Sequence, residues 1–151
     1  MMESRESYHI SLKIFINNSS NETLILTAVN NGTFAGYHDL PGGRIDKHEF
    51  SVPLLSILQR EIEEEVGLTG IVINPKPVAV GRHLILSKFT IEKSRDIPVF
   101  YVFYEGTLSS GDVKISDEHG GYKWVDLSKI DLEKYFTSGI LEGVRMYLQS
   151  K

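Results

Sequence analysis

The chain has 151 residues, 41% of them hydrophobic and 24% charged, with a formal net charge of −4. That length suits one domain with a single core, and the charge leaves no basic footprint for a long nucleic acid. No cysteine is present, which excludes disulfides, thiolate catalysis and Cys–zinc sites. No apolar run approaches the ~18 residues of a membrane span, and the first residues carry no signal-peptide core, so the cytoplasm is the expected compartment.

In chain order, residues 1–7 read as a disordered tail and residues 8–151 as one domain. Residues 8–16 alternate well enough for a strand. Residues 17–21 form an Asn/Ser turn cluster, and residues 22–29 continue as a second strand, giving a hairpin. The Asn-x-Ser/Thr matches at Asn17, Asn18, Asn21 and Asn31 read as turn chemistry. Asn30-Asn31-Gly32 is a further turn, and residues 34–40 read as a short strand entering Pro41-Gly42-Gly43. A helix is predicted over 53–66, with Ser51 or Val52 as its cap, Pro53 near its first turn and Gly67 terminating it. Leu54, Leu58, Ile62 and Val66 supply its apolar stripe. Strands follow over 71–73, 78–86 and 98–108, with a charged loop at 88–96 long enough for a lid. A short strand at 122–125 carries the only Trp, and a helix over 130–149 is broken near Gly139. The order β-β-β-α-β-β-β-α gives an α/β fold, a mixed sheet with helices on its faces.

The chemistry concentrates on the first helix. Glu61, Glu64 and Glu65 stand at i, i+3 and i+4 and share an arc of roughly 100°. Like charges so placed destabilise a helix by ~0.2–0.5 kcal/mol per pair, so the fold must bring a counter-charge. Gathered carboxylates suit a hard divalent cation, Mg²⁺ or Mn²⁺, and through it phosphate chemistry. Glu63 lies on the other side of the helix and reads as solvated.

Gly43 and Glu49, followed by Arg60-Glu61-Ile62-Glu63-Glu64-Glu65-Val66-Gly67-Leu68, resemble the box of the Nudix hydrolases, Gly-x5-Glu-x7-Arg-Glu-U-x-Glu-Glu-x-Gly-U with U aliphatic. Leu40-Pro41-Gly42-Gly43 matches the usual lead-in. One departure stands out: ten residues separate Glu49 from Arg60, where the family has seven. The extra three are expected to be absorbed at 50–53, leaving the helix glutamates intact and displacing Glu49.

The resemblance implies a Nudix-type α/β/α sandwich over residues 8–151. It also implies Mg²⁺-dependent hydrolysis of a nucleoside diphosphate linked to another group, foremost a nucleoside triphosphate or related small nucleotide. Glu61, Glu64, Glu65 and the Gly43 carbonyl would then hold metal, and Arg60 would fix a box carboxylate. The general base would be Glu118, with Glu61 and then His119 behind it. Arg44 and Arg82 are candidates for substrate contact, each also readable as an ordinary polar residue. Relatives are often homodimers, and no membrane partner is implied. A second reading is a Nudix-like domain that binds a nucleotide without cleaving it and acts as a sensor. An isopentenyl diphosphate isomerase, which shares the fold, needs a catalytic cysteine that this chain lacks.

Overall fold

The computed structural model describes residues 4–29, 32–90 and 95–151. The first three residues of the expected tail, the turn at 30–31 and positions 91–94 of the charged loop lie outside the described residues.

Strand β1 (His9–Asn17) forms the spine. It runs parallel to the long β7 (Ile97–Ser110) and turns back into β2 (Thr23–Thr27), which bonds β3 (His38–Asp39) and β8 (Gly121–Val125) antiparallel. On the far side β7 pairs antiparallel with β5 (Gly70–Ile73) and β6 (Ala79–Ile85). The β1–β7 pair makes this a mixed sheet. Period-2 alternation then sorts the core into two layers. Leu12, Ile14, Ile16, Leu24 and Leu26 face helix α1 (Leu54–Val66), while Phe15, Ile25, Val99, Tyr101 and Phe103 face α3 (Ser138–Gln149). The result is the expected α/β/α sandwich. No helix among the described residues is long and apolar enough to cross a membrane.

Four local expectations are corrected. Residues 34–40 are not a strand throughout: successive turns, closed by Ala35 N–H to the Gly32 carbonyl and Tyr37 N–H to the Phe34 carbonyl, leave only His38–Asp39 extended. The glycine turn is itself a strand, β4 (Gly42–Arg44), paired with Ser11–Lys13 of β1. Helix α1 is capped by Pro53, and Leu54 is 45% exposed while Ile57 is buried in its place. The C-terminal helix breaks at residues 136–137, between a single turn α2 (Leu132–Tyr135) and α3, and Gly139 lies within α3.

Candidate active site

Two elements meet at the site, the β4 strand and the last two turns of α1. Gly42 occupies a φ of +143°, which suits glycine, and a side chain there would strike the Leu12 carbonyl of β1. With both positions reduced to backbone, β4 lies close under α1. The Gly42 N–H donates to Glu65 Oε1 at 2.8 Å. A Cβ at Gly43 would come within 2.5 Å of Glu61 Oε2. The glycine pair thus brings main chain directly against two of the three predicted carboxylates.

The third predicted group, Glu64, points outward and is 59% exposed. Arg60 collects it: its guanidinium donates to both Glu64 oxygens at 3.1 and 3.2 Å and to Glu49 Oε2 at 2.6 Å, and it lies 3.4 Å from Glu61 Oε1. Arg60 thus contacts three carboxylates at once. Glu49 is not displaced from the cluster by the longer spacing. It ends a 3-10 turn, Lys47–Glu49, where Oε1 accepts the Asp46 N–H at 2.9 Å, and its side chain is buried. That backbone bond, with help from Arg60 and against burial, holds the Glu49 carboxyl below its ordinary range. Glu61 is shifted the other way. Burial pushes its carboxyl up, Arg60 opposes, and Glu65, Glu64 and Glu49 add to the rise.

The segment after β7 returns over the end of α1. Lys114 N–H donates to the Val66 carbonyl and Ser116 N–H to the Glu65 carbonyl, at 2.8 and 2.9 Å. The turn that follows sets His119 Nε2 3.0 Å from Glu65 Oε2. Donor atoms of Glu65, Glu118 and His119 fall within 4.8 Å of one another. The loop residues read from sequence therefore reach the helix carboxylate Glu65, His119 doing so across 54 positions of chain.

The required counter-charge has a second source that sequence reasoning missed. Lys13, in the middle of β1, is buried beside Asp39, with Nζ 3.1 Å from Asp39 Oδ2 and 3.2 Å from the Leu40 carbonyl. Burial works against its charge, but Asp39, Glu65 and Glu61 together raise its pKa above the ordinary lysine value. The available signal was a lysine between Leu12 and Ile14 in an otherwise apolar strand.

Arg44 and Arg82 sit at the margins. Arg44 Nη1 approaches His9 Nδ1 at 3.3 Å; burial, then Arg44 and Arg95, lower the His9 pKa. Arg82 reaches the Tyr8 hydroxyl at 3.3 Å, and its main-chain N–H donates to Glu142 of α3 at 2.9 Å.

An oxygen-rich set of carboxylates, a main-chain approach left open by Gly43 and one imidazole fit a divalent cation. Such a site on this sandwich defines an enzyme, a hydrolase acting on acid anhydrides. The profile of the NUDIX domain matches residues 7–144, so the chain belongs to the Nudix family. Over 120 residues, 78% of this chain and 83% of the relative, it is 28% identical to nucleoside triphosphatase NudI of Escherichia coli O81 (strain ED1a). The crystal structure of the MutT protein from Methanosarcina mazei Go1 is 26% identical and superimposes with a TM-score of 0.73, covering 98% of each chain. A MutT NUDIX hydrolase from Burkholderia pseudomallei, 20% identical, shares the fold at a TM-score of 0.66 over 95% of this chain and 98% of its own.

Proposed function

We propose that this enzyme is a Mg²⁺-dependent pyrophosphohydrolase acting on small nucleotides, with nucleoside triphosphates as its principal substrates. The observation that carries the reading is the convergence of Glu61 and Glu65 on the Gly42–Gly43 backbone, with Glu118 and His119 gathered at Glu65 and Glu64 tied in by Arg60. The relationship to NudI, named a nucleoside triphosphatase, supports the substrate class.

In this reading Glu61, Glu64, Glu65 and the Gly43 carbonyl hold the cation. When bound, the cation neutralises the diphosphate and makes the attacking water more acidic. Arg60 keeps Glu49, Glu61 and Glu64 from splaying apart, so the ligand set is arranged before substrate arrives. Glu118 is an exposed carboxylate beside Glu65 and takes the proton from the attacking water. Lys13, through Asp39, Glu65 and Glu61, and Arg60, through Glu49, Glu61 and Glu64, balance the concentrated negative charge.

The test is a mass-spectrometric product screen with Mg²⁺ over triphosphates, nucleotide sugars, ADP-ribose and dinucleoside polyphosphates, with EDTA as control. EDTA-sensitive release of a nucleoside monophosphate is expected. Nucleotide binding without cleavage of any panel member would overturn the hydrolase in favour of a sensor.

A further inference from the structure

Lys13 is a costly residue for its place in the sheet. It stands in β1 between the fully buried Leu12 and Ile14 and is itself only 7% exposed. Taking an ammonium group out of water is expensive, and a buried ion pair is often no more stabilising than apolar side chains packed in its stead. An aliphatic residue at position 13 would serve the strand without that cost. What accounts for the charge is the part of the chain that its Nζ holds.

Strands β1 and β2 pair at Asn17 and Thr23. Away from that end β7 and β8 take their outer sides, and the corner from β3 to β4 fills the space between them. There β3 bonds Leu26 and Thr27 of β2, and β4 bonds Ser11–Lys13 of β1. The corner itself, residues 39–41, cannot be held by a regular ladder. Pro41 has no N–H to donate, and the Leu40 N–H is taken by Asp39 Oδ1 at 2.7 Å. Lys13 supplies the tie. Its Nζ donates to Asp39 Oδ2 at 3.1 Å and to the Leu40 carbonyl at 3.2 Å, with the centre of the Tyr101 ring 6.0 Å away. The next amide of β1, Ile14 N–H, donates to the Pro41 carbonyl at 3.0 Å. Gly42 follows at once, and its N–H reaches Glu65 Oε1 at 2.8 Å. The ammonium group is thus two residues of chain from the amide that orients Glu65.

We propose that Lys13 is a positioning residue for the active site. Holding Asp39 and the Leu40 carbonyl, it fixes the β3–β4 corner so that the Gly42 N–H and the Gly43 main chain stand where Glu65 and Glu61 meet them. An offset of about 1 Å at such a corner is enough to cost an active site roughly 100-fold. The inference rests on the reading of Glu61 and Glu65 as metal-holding carboxylates of a hydrolase.

The test replaces both charges together, Lys13→Met with Asp39→Leu, so that neither is left buried alone. Three quantities are compared with the wild type: melting temperature, hydrogen exchange of the Gly42 amide in the metal-free protein by NMR, and Mn²⁺ affinity by electron paramagnetic resonance. The double variant should melt at or above the wild-type temperature. Its Gly42 amide should exchange roughly 10-fold or more faster, and Mn²⁺ should bind about 10–100-fold more weakly. The amide of Val144, in α3, should exchange at its wild-type rate. Unchanged Gly42 exchange, or faster exchange with unchanged Mn²⁺ affinity, would overturn the proposal. So would equally faster exchange at Val144, the mark of a general loosening. Should the double variant not fold, Asp39→Asn, isosteric and uncharged, should shift Gly42 exchange and Mn²⁺ affinity in the same directions, and no change in either would overturn the proposal. If these shifts appear but the wild type cleaves no nucleotide, the hydrolase reading fails and the positioning role stands. If the wild type cleaves a nucleotide and Gly42 stays protected in the variant, only the positioning role fails.

Discussion

Helices α1 and α3 cover opposite faces of one sheet, yet they approach it by different means. On α3 the side chains are removed where the helix touches down: Gly139 meets the backbone of Arg82, and Gly143 meets the Phe103 ring so closely that any Cβ would clash. Tyr147 then stacks on Phe15 with ring centres 3.9 Å apart and planes 8° from parallel. The α1 face is apolar only along Ile57, Leu58, Ile62 and Val66, and its flank carries Arg60, Glu61, Glu64 and Glu65. One contact surface is close-packed and largely apolar. The other is bordered by carboxylates whose repulsion is held in check by Arg60, Lys13 and main-chain N–H groups. The lesson is that burial is laid on both faces of the sheet, while the charge that does chemistry gathers at the border of one of them, so the α3 face can change without disturbing it.

That separation can be broken or sharpened experimentally. The largest effect is expected for Glu65→Gln or Glu64→Gln. Each should lower turnover by more than roughly 100-fold, the upper end of what loss of an outer ligand partner costs, with an unchanged unfolding curve. Near-normal steady-state rates in both would refute the carboxylate site. Glu49→Gln, which loosens Arg60, should cost about 10–100-fold in kcat or metal affinity. On the α3 face the pattern reverses: Gly143→Ala should destabilise by about 1–3 kcal/mol in denaturant titration, with kcat per folded molecule preserved.

A smaller effect tests the C-terminal end of α3. There Lys151, against burial and with help from Tyr147, holds the Glu105 carboxyl below its ordinary range. A lowered carboxyl stabilises the fold above its unfolded pKa and loses that contribution as pH falls through the folded value. Glu105→Gln should therefore melt earlier than wild type at neutral pH, and the two curves should converge on acidification. Constant separation at all pH values would show that the ion pair contributes nothing. Glu63→Gln, on the exposed side of α1, should change neither rate nor stability; a large loss of rate would mean that the wrong helix face has been assigned.

Much of this was legible in the residues because the informative spacing is local. The glutamate arc, the Gly67 terminator, with φ of +67°, and the sorting of β1 into two faces all follow from periods of 3.6 and 2 within one element. What was not legible depends on partners distant in sequence. Three residues containing two glycines have little strand propensity, and β4 exists because β1 lies beside it. Lys13 went unread within β1, because its partner Asp39 lies 26 positions later. Gly139 suggested a helix break, whereas its missing side chain serves close contact with β6 and the break falls just before it. Leu54 fits the apolar stripe by spacing but lines an open surface groove instead of the core.

The way residues 113–116 dock on α1 bears on how this enzyme can change over time. The loop carrying Glu118 and His119 is registered on the helix by Lys114 N–H to the Val66 carbonyl and Ser116 N–H to the Glu65 carbonyl, main chain to main chain. Such a seam does not depend on which side chains occupy positions 114 and 116. The Ser116 hydroxyl adds one side-chain contact to it, accepting the Glu118 N–H at 3.4 Å. Proline, which has no N–H to donate, is the one replacement the seam forbids.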